Sequence, residues 1–322
     1  MKETARADLV CEGGGVRGIG LVGAVHALAA AGYEFPRVAG SSAGAVVASM
    51  VAALQAAGEP LSRLDELAQS IDYSKFADPT LLARIPIVGP ALSLVARDGV
   101  YQGDYLEKLL IGLLGDLGVR TFGDLRTGEE SQQYAWSLVV TASDLSRRRL
   151  VRIPWDLTNY GIDPDEFSVA HAVRASSAVP FAFEPVRVSG ATWVDGGLLS
   201  SFPVQLFDTE GRPRWPTFGI RLSARPGKPP THQIRGPLSL AFGALETLIS
   251  DQDAAYIDDP CTVRRTIFVP AESVGTLDFD ITAEERDALY DRGLHAAEQF
   301  LESWDYPEYL RACRGERTPE PL

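Results

Sequence analysis

The chain has 322 residues, of which 43 are acidic and 30 are basic, so its formal net charge at neutral pH is −13. With 45% apolar residues it has the composition of a globular protein, which excludes a disordered or fibrous chain. The acidic balance also argues against nucleic acid as a partner and against electrostatic docking on anionic lipid, because both depend on clustered Lys and Arg.

The N-terminus predicts an intracellular protein. Residues Met1 to Asp8 are polar and lack the apolar segment of a secretory signal. The three cysteines, Cys11, Cys261 and Cys313, are odd in number and far apart, which predicts neither a disulfide framework nor a paired metal site. We therefore expect a cytoplasmic location.

The first elements along the chain predict a βαβα unit. A short apolar strand, Leu9 to Cys11, runs into a glycine loop, and the apolar helix Ile19 to Ala31 ends at Gly32. A second strand, Arg37 to Ala39, leads through a tight turn into a helix that ends near Ala57. This uncharged helix is rich in Ala, Gly and Ser, which favours a buried helix over a membrane span. The order of elements predicts an α/β fold with a mostly parallel sheet.

Later segments continue the alternation. Two more strands are predicted at 136–142 and 191–194, and one more helix at 168–177. Residues 222–237 are rich in Pro and Gly and are predicted to form a loop. Pro86 and Pro90 divide the apolar segment 79–98, so it cannot be one helix. The capping-box sequence Thr282 to Glu285 predicts a last helix through about Glu302. We expect one domain over residues 6–305 and a mobile tail over 306–322.

The sequence Gly40-Ser41-Ser42-Ala43-Gly44 has the form G-x-S-x-G. Small residues on both sides of Ser42 allow a sharp turn from strand to helix, which presents the Ser42 hydroxyl at the sheet edge as a nucleophile. The alternative is a glycine-rich turn in which Ser42 only caps the helix.

The glycine loop contains Gly13, Gly14, Gly15, Val16, Arg17 and Gly18. It fits the dinucleotide fingerprint G-x-G-x-x-G, but that site needs an acidic residue at the end of the second strand, and Glu34 precedes the strand instead. A glycine loop can equally offer bare backbone N–H groups to an oxyanion. Arg17 can fix the loop or face an anionic substrate.

The third motif is Asp195-Gly196-Gly197. It follows a strand and presents its carboxylate much as the elbow presents Ser42, although an Asx turn with no catalytic role explains the same sequence. A nucleophilic serine needs a base, which is usually a histidine. His232 lies in the Pro-rich loop and His295 on a solvated helix face, while His26 and His171, which have no motif around them, stay open as alternatives.

Taken together, these motifs resemble the patatin-like phospholipase family. The order of glycine loop, serine elbow and distant Asp-Gly-Gly is typical of that family. Three further segments match, at 99–104, 175–180 and 275–280. The resemblance runs from about Asp8 to Leu301 and is greatest to the compact bacterial members.

The resemblance implies a three-layer α/β/α fold and hydrolysis of acyl esters by a Ser–Asp dyad without histidine, metal or cofactor. Carried over position by position, Ser42 is the nucleophile and Asp195 the base, and the oxyanion hole is formed by the loop Gly13 to Gly18, chiefly Gly14 and Gly15. The expected substrate is a phospholipid, a lysophospholipid or a related ester. A lipid-binding scaffold with little turnover is one alternative. A Ser-His-Asp esterase is another, although its elbow normally lies deeper in the chain.

Two features suggest contact with lipid. Residues 79–98 can form a lid or a transient membrane-docking surface, which would make the protein peripherally membrane-associated, or an ordinary packed helix pair. Arg147, Arg148, Arg149 and Arg152 can meet phosphate head groups, although a solvated hairpin turn is the stronger interpretation.

Overall fold

The computed structural model describes residues 5–72, 75, 99–101, 103–222, 243, 247, 259–271, 273–276 and 278–315. The expectations for segment 79–98 and for nearly all of loop 222–237 fall outside these residues. Among those described, no helix combines the length and the apolar character needed to cross a bilayer.

The main sheet is mixed and mostly parallel. Its strands are β2 (Asp8–Cys11), β4 (Val38–Ser41), β6 (Leu138–Asp144), β7 (Arg149–Ile153), β9 (Val186–Val188), β10 (Ala191–Asp195), β11 (Thr217–Arg221) and β12 (Thr266–Phe268). The parallel neighbours run in the order β12-β11-β2-β4-β6. The central strands β2, β4 and β6 are buried at every residue, as expected for parallel strands covered on both faces. The remaining short strands form small parallel pairs, β1 (Ala5–Arg6) with β3 (Tyr33–Glu34) and β5 (Gly99–Tyr101) with β8 (Phe181–Phe183).

The register around β6 brings two strand ends together. One edge of β6, from Val140 to Asp144, pairs with antiparallel β7. A strand has only two edges, so β4 and β10 share the other edge, β4 opposite 138–141 and antiparallel β10 opposite 142–144. Ser41 pairs with Thr141 and Asp195 pairs with Ala142, the next residue. The carboxyl ends of β4 and β10 therefore meet head to head.

Helices flank the sheet and complete the predicted α/β/α sandwich. They are α1 (Ile19–Ala30), α2 (Ala43–Ala56), α3 (Arg63–Ser70), α4 (Asp104–Asp116), α5 (Val169–Ser176), α6 (Pro260–Arg264), α7 (Ala283–Ser303) and α8 (Tyr306–Cys313). The capping box predicted for α7 is present, with Thr282 and Glu285 each accepting from the other's backbone N–H. The predicted strands and helices up to residue 195 are found within a few residues of their expected bounds.

Helices α1 and α7 pack so closely that two positions of their contact have no room for a side chain. A Cβ on Gly293 would lie 1.9 Å from the carbonyl oxygen of Gly20, and one on Gly23 would lie 2.1 Å from that of Tyr290. Glycine is therefore required at both positions.

The C-terminal part corrects two expectations. Residues Tyr306–Cys313 of the expected tail form α8, in which Tyr309 and Leu310 are buried. Cys313 is disulfide-bonded to Cys261 at the start of α6, whereas Cys11 is free and buried. The expectation of unpaired cysteines was wrong because an odd count does not prevent two distant cysteines from pairing.

Candidate active site

Ser42 lies at the sharp turn between β4 and α2. Its φ of 53° and ψ of −123° are outside the regions that non-glycine residues usually adopt, so the turn holds it under strain. A Cβ on Gly40 would lie 2.2 Å from the carbonyl carbon of Gly44, and one on Gly44 would lie 2.3 Å from the oxygen of Cys11. The flanking glycines are therefore needed for the backbone to pass so closely.

Ser176 holds this turn in place. The Ser42 N–H donates to the Ser176 hydroxyl oxygen over 2.8 Å, and Ser176 is fully buried at the end of α5. Ser42 itself is 9% exposed. Sequence reasoning singled out the segment 175–180 as a motif but did not predict this contact.

Asp195 ends β10 beside the elbow. Its side chain is 5% exposed, its Oδ1 accepts from the Gly197 N–H over 2.7 Å, and its own N–H donates to Ala178 O over 2.9 Å. Burial raises the pKa of Asp195 from an ordinary 3.8 to about 6, while hydrogen bonding from the Ser42 hydroxyl and the Gly197 N–H acts in the opposite direction. Within the described residues its buried Oδ2 makes no hydrogen bond of standard geometry. The Ser42 hydroxyl is thus close to the carboxyl group but not ideally aligned with it.

Gly196 packs this aspartate turn directly on the elbow. A Cβ at this position would lie 2.4 Å from the Thr141 carbonyl oxygen and 2.6 Å from the Ser41 hydroxyl oxygen. Ser143 also donates its hydroxyl to the Gly196 carbonyl over 3.4 Å. The two motifs are therefore in contact through residues other than Ser42 and Asp195.

The glycine loop borders Ser42 on another side. A Cβ on Gly13 would lie 3.2 Å from the Ser42 Cβ, and one on Gly18 would lie 3.1 Å from the Ala43 Cβ. The loop becomes a short 3₁₀ turn over Gly15–Gly18 before α1 begins. The structure therefore brings together the three motifs that sequence analysis selected.

Most N–H groups at the start of the loop already have acceptors. Gly13 donates to Ser201 O over 2.9 Å, Val16 to Thr276 O over 3.1 Å, and Arg17 to Gly14 O over 3.2 Å. In the described part of the chain, the N–H groups of Gly14 and Gly15 donate to no backbone or side-chain acceptor. These two groups are available to an oxyanion.

The segment 273–276 fixes the loop from outside. The Arg17 Nε donates to the Val274 carbonyl over 2.7 Å, so this arginine anchors the loop. Gly15 has a φ of 55°, and a Cβ there would lie 1.9 Å from Thr276 O. Two separate requirements therefore demand glycine at Gly15.

An apolar cavity of about 120 Å³ opens at Ser42. Its walls come from the glycine loop, from α2, α3 and α4, and from the segments around 179 and 279. The buried Ser177 hydroxyl, which has no hydrogen-bond partner among the described residues, belongs to this wall. The apolar residues of the lining include Val46, Val47, Met50, Leu64, Leu106 and Phe279.

The three histidines that the structure describes have hydrogen-bond partners away from Ser42. His26 Nδ1 lies 2.5 Å from Asp65 Oδ2, His171 Nδ1 lies 2.9 Å from Glu107 Oε1, and exposed His295 Nδ1 lies 2.7 Å from Asp291 O. None of these three lines the cavity at Ser42. His232 lies outside the described residues.

The arginine cluster belongs to the hairpin between β6 and β7. Arg148 has a φ of 55° in the turn, and Arg149 and Arg152 lie 3.5 Å and 2.9 Å from carboxylate oxygens of Asp156. The guanidinium of Arg147 lies 4.0 Å from the Tyr160 ring centre. These contacts agree with the hairpin interpretation.

Comparison with known proteins decides the family. Residues 9–208, more than half of the chain, match the family described as patatin-like phospholipase. The chain belongs to the patatin-like phospholipase family. Members of this family are lipid acyl hydrolases, and the matched region contains all three motifs of the site.

Individual relatives agree with this assignment. The chain is 39% identical over 305 residues to the uncharacterized protein YqhO of Bacillus subtilis, covering 93% of this chain and 99% of YqhO. It is 27% identical over 202 residues to the uncharacterized NTE family protein Rv1063c of Mycobacterium tuberculosis, covering 62% of this chain and 44% of the relative. Among solved structures, VipD from Legionella pneumophila shares the patatin-like fold with a TM-score of 0.55 at 19% identity, over 94% of this chain and 68% of VipD.

Proposed function

We propose that this protein is a serine acyl hydrolase of phospholipase A or lysophospholipase type, which cleaves carboxylic esters of lipids with a Ser42–Asp195 dyad. The observation that carries the proposal is the head-to-head meeting of β4 and β10 on one edge of β6. It sets the strained Ser42 beside a buried carboxyl group of raised pKa. The glycine loop lies against the same serine, and two of its N–H groups have no acceptor among the residues that the structure describes.

Acylation uses the three motifs in turn. Asp195 takes the proton of the Ser42 hydroxyl while the Ser42 oxygen forms a bond to the ester carbonyl carbon. The negative charge that develops on the carbonyl oxygen is stabilised by the N–H groups of Gly14 and Gly15, and one such donor is typically worth ~10²–10³ in rate. The carbon–oxygen bond to the alcohol then breaks, and the alcohol leaves with the proton from Asp195.

Deacylation repeats these steps with water. Asp195 takes a proton from a water molecule as the water oxygen attacks the acyl carbon. The bond to the Ser42 oxygen breaks, the proton returns to Ser42, and a carboxylic acid is released. No metal or cofactor enters either step.

The apolar cavity supports a lipid substrate, because an acyl chain needs an apolar path to the serine. The description of the family as patatin-like phospholipases favours phospholipids, and with them lysophospholipids, as the substrate class. We further propose that the enzyme meets membranes transiently through residues 79–98. Since the chain carries a net charge of −13, apolar contact must supply most of that attraction, and binding to vesicles should persist at high salt.

Active-site labelling tests the proposal. A fluorophosphonate should label the unaltered protein but not Ser42→Ala, and hydrolysis of a short p-nitrophenyl ester should fall by at least ~10³ in Ser42→Ala and Asp195→Asn. His26→Ala and His171→Ala test the histidine alternatives, and exposed His295→Ala is the matched control. All three should keep activity toward the short ester, because none of these side chains lines the cavity. Full activity in Asp195→Asn together with loss in a histidine variant would favour a Ser-His-Asp esterase. Absence of labelling and of hydrolysis across a lipid panel would favour the scaffold.

A further inference from the structure

The cavity at Ser42 follows the axis of α2. The α2 residues that line it recur one helical turn apart, first Ala43, then Val46 and Val47, then Met50. At 1.5 Å per residue, the eight steps along the chain from Ser42 to Met50 span about 12 Å. The cavity therefore has a direction, with the nucleophile at one end and Met50 at the other.

Two other helices contribute apolar residues to the wall of this cavity. Helix α4 contributes a stripe from Leu106 to Leu113, and α3 contributes Leu64, Leu67 and Ala68. Asp65, on α3 between the lining residues, binds His26 of α1 instead. Helix α3 is thus amphipathic, with its apolar face toward the cavity and Asp65 fixed to the body of the protein.

The dimensions limit what fits. An extended chain advances about 1.2 Å per bond, because a three-bond residue spans at most ~3.3–3.6 Å, so 12 Å corresponds to about ten bonds. The volume of about 120 Å³ is slightly below that of a ~150 Å³ cavity that holds one six-carbon benzene ring. Length thus sets an upper limit near ten carbons, and the volume, which is close to that needed for six carbons, favours a single unbranched chain toward the short end of this range.

We propose that the cavity between α2, α3 and α4 selects a single, unbranched acyl chain of medium length, about six to ten carbons, whose methyl end lies near Met50. This inference rests on the proposed function for its biological meaning, since it specifies the acyl group that Ser42 would carry. Val46 lies four residues from Ser42, or about 6 Å along α2, and so marks the middle of the bound chain. Val46 and Met50 are then the residues that determine chain-length specificity.

Binding of saturated fatty acids to Ser42→Ala tests this without any turnover. Titration calorimetry with acids of four to fourteen carbons should show affinity rising ~4-fold per added methylene group until the cavity is filled. The affinity should stop rising at a chain length between about six and ten carbons. A steady rise through fourteen carbons would overturn the inference.

Variants along α2 locate the end of the chain. In Ser42→Ala/Val46→Phe the affinity should stop rising at about four carbons, because the new ring occupies the middle of the cavity. In Ser42→Ala/Met50→Phe the chain length at which the affinity stops rising should fall by only about two carbons. Val46 is only partly buried and so carries the test alone if the Met50 variant fails to fold, as judged by its thermal melting. Ser42→Ala/Ile111→Phe is the matched control, because Ile111 is on α4 but 58% exposed and outside the cavity.

The same series in the active background links the two proposals. With p-nitrophenyl esters, the ratio of kcat/KM for the decanoate to that for the butyrate should fall at least tenfold in Val46→Phe and stay within twofold in Ile111→Phe. If no ester is hydrolysed, the proposed function fails while the fatty-acid titration still decides the chain-length inference. If esters are hydrolysed but Val46→Phe changes neither the chain length at which the affinity stops rising nor the decanoate-to-butyrate ratio of kcat/KM, only the chain-length inference fails.

Discussion

Asp195, the proposed base, is a buried residue whose role in the chemistry would carry a cost in stability. Burial raises its pKa to about 6, close to the pH at which a carboxylate must act as a base. The same desolvation means that the folded protein carries an unfavourable charge at neutral pH. Activity and stability should therefore respond oppositely to this carboxyl group.

The pH dependence of hydrolysis should report the carboxyl group directly. Asp195 acts as a base only when deprotonated, so kcat/KM should rise with pH through a midpoint near 6 and level off above it. The measurement is kcat/KM for a short, uncharged ester between pH 4.5 and pH 8. A rate that is constant from pH 4.5 upward would contradict Asp195 as the base.

Removing this charge should stabilise the protein. Because the folded-state pKa lies above the ordinary 3.8, the folded state binds the proton more tightly, and stability is lost as pH rises from about 3.8 through about 6. Asp195→Asn should therefore increase the free energy of unfolding at pH 8 by up to ~3 kcal/mol, and by little at pH 4. Denaturant unfolding at both pH values measures the difference.

Asp124→Asn offers a control of opposite sign. Backbone N–H groups of Thr121 and Arg120 lower the pKa of Asp124, so its charge stabilises the fold above its ordinary pKa, and its removal should destabilise the protein at pH 8. A loss of stability in Asp195→Asn at pH 8 would contradict this prediction, because it would mean that hydrogen bonds to the charged carboxylate outweigh the cost of burying it.

Sequence patterns selected the residues of the proposed dyad but not the groups that hold them in place. Ser42 and Asp195 stand out because glycines must flank a turn of such close approach, and that requirement is local. The Ser176 hydroxyl that holds the Ser42 N–H lies 134 positions away, so no local pattern reports it. The availability of the Gly14 and Gly15 N–H groups likewise depends on the acceptors that Ser201 and Thr276 offer to their neighbours.

The contact between α1 and α7 is the most demanding helix packing described above. Gly293→Ala would place a methyl group 1.9 Å from Gly20 O, so the helices must separate, and we expect a loss of ~1–3 kcal/mol or more in the free energy of unfolding. Gly112→Ala on α4 is the matched control. Its Cβ would meet nothing within 4 Å, so it should stabilise the protein by ~0.5–1 kcal/mol. Equal effects of the two variants in thermal melting would show that α1 and α7 are not in backbone contact.

Among the elements, those with local signals were predicted and those without were not. The capping box of α7 and the apolar runs of β2, β4 and β6 are visible in the sequence. Helix α8 was missed although Asp305 accepts from the Glu308 N–H as an N-cap, because so short a helix depends on burial of Tyr309 and Leu310. The shared edge of β6 has no sequence signal, since pairing between distant strands is a tertiary property.

At the scale of the whole molecule, the disulfide joins the end of α8 to α6 and closes a sequence separation of 52 residues. Its loss should lower the free energy of unfolding by ~2–4 kcal/mol, chiefly because the unfolded chain gains freedom. Cys261→Ser, Cys313→Ser and reduction with dithiothreitol should give similar losses in the free energy of unfolding, as measured with denaturant. Cys11→Ser keeps the disulfide, so dithiothreitol should lower its free energy of unfolding by the same amount as it does for the unaltered protein. If reduction changes nothing, the two cysteines are not paired in the protein.

The head-to-head arrangement of β4 and β10 also restricts where this chain can change its length. Asp195 reaches Ser42 because β10 ends opposite Ala142, and inserting one residue within β10 would turn its side chains to the opposite face of the sheet. The β9–β10 turn, where Ser189 and Gly190 have φ values of 45° and 79°, precedes β10. It can lengthen without altering the pairing of β10 with β6. Insertions and deletions compatible with the dyad should therefore collect in such turns, while the number of residues from Ala191 to Asp195 stays constant.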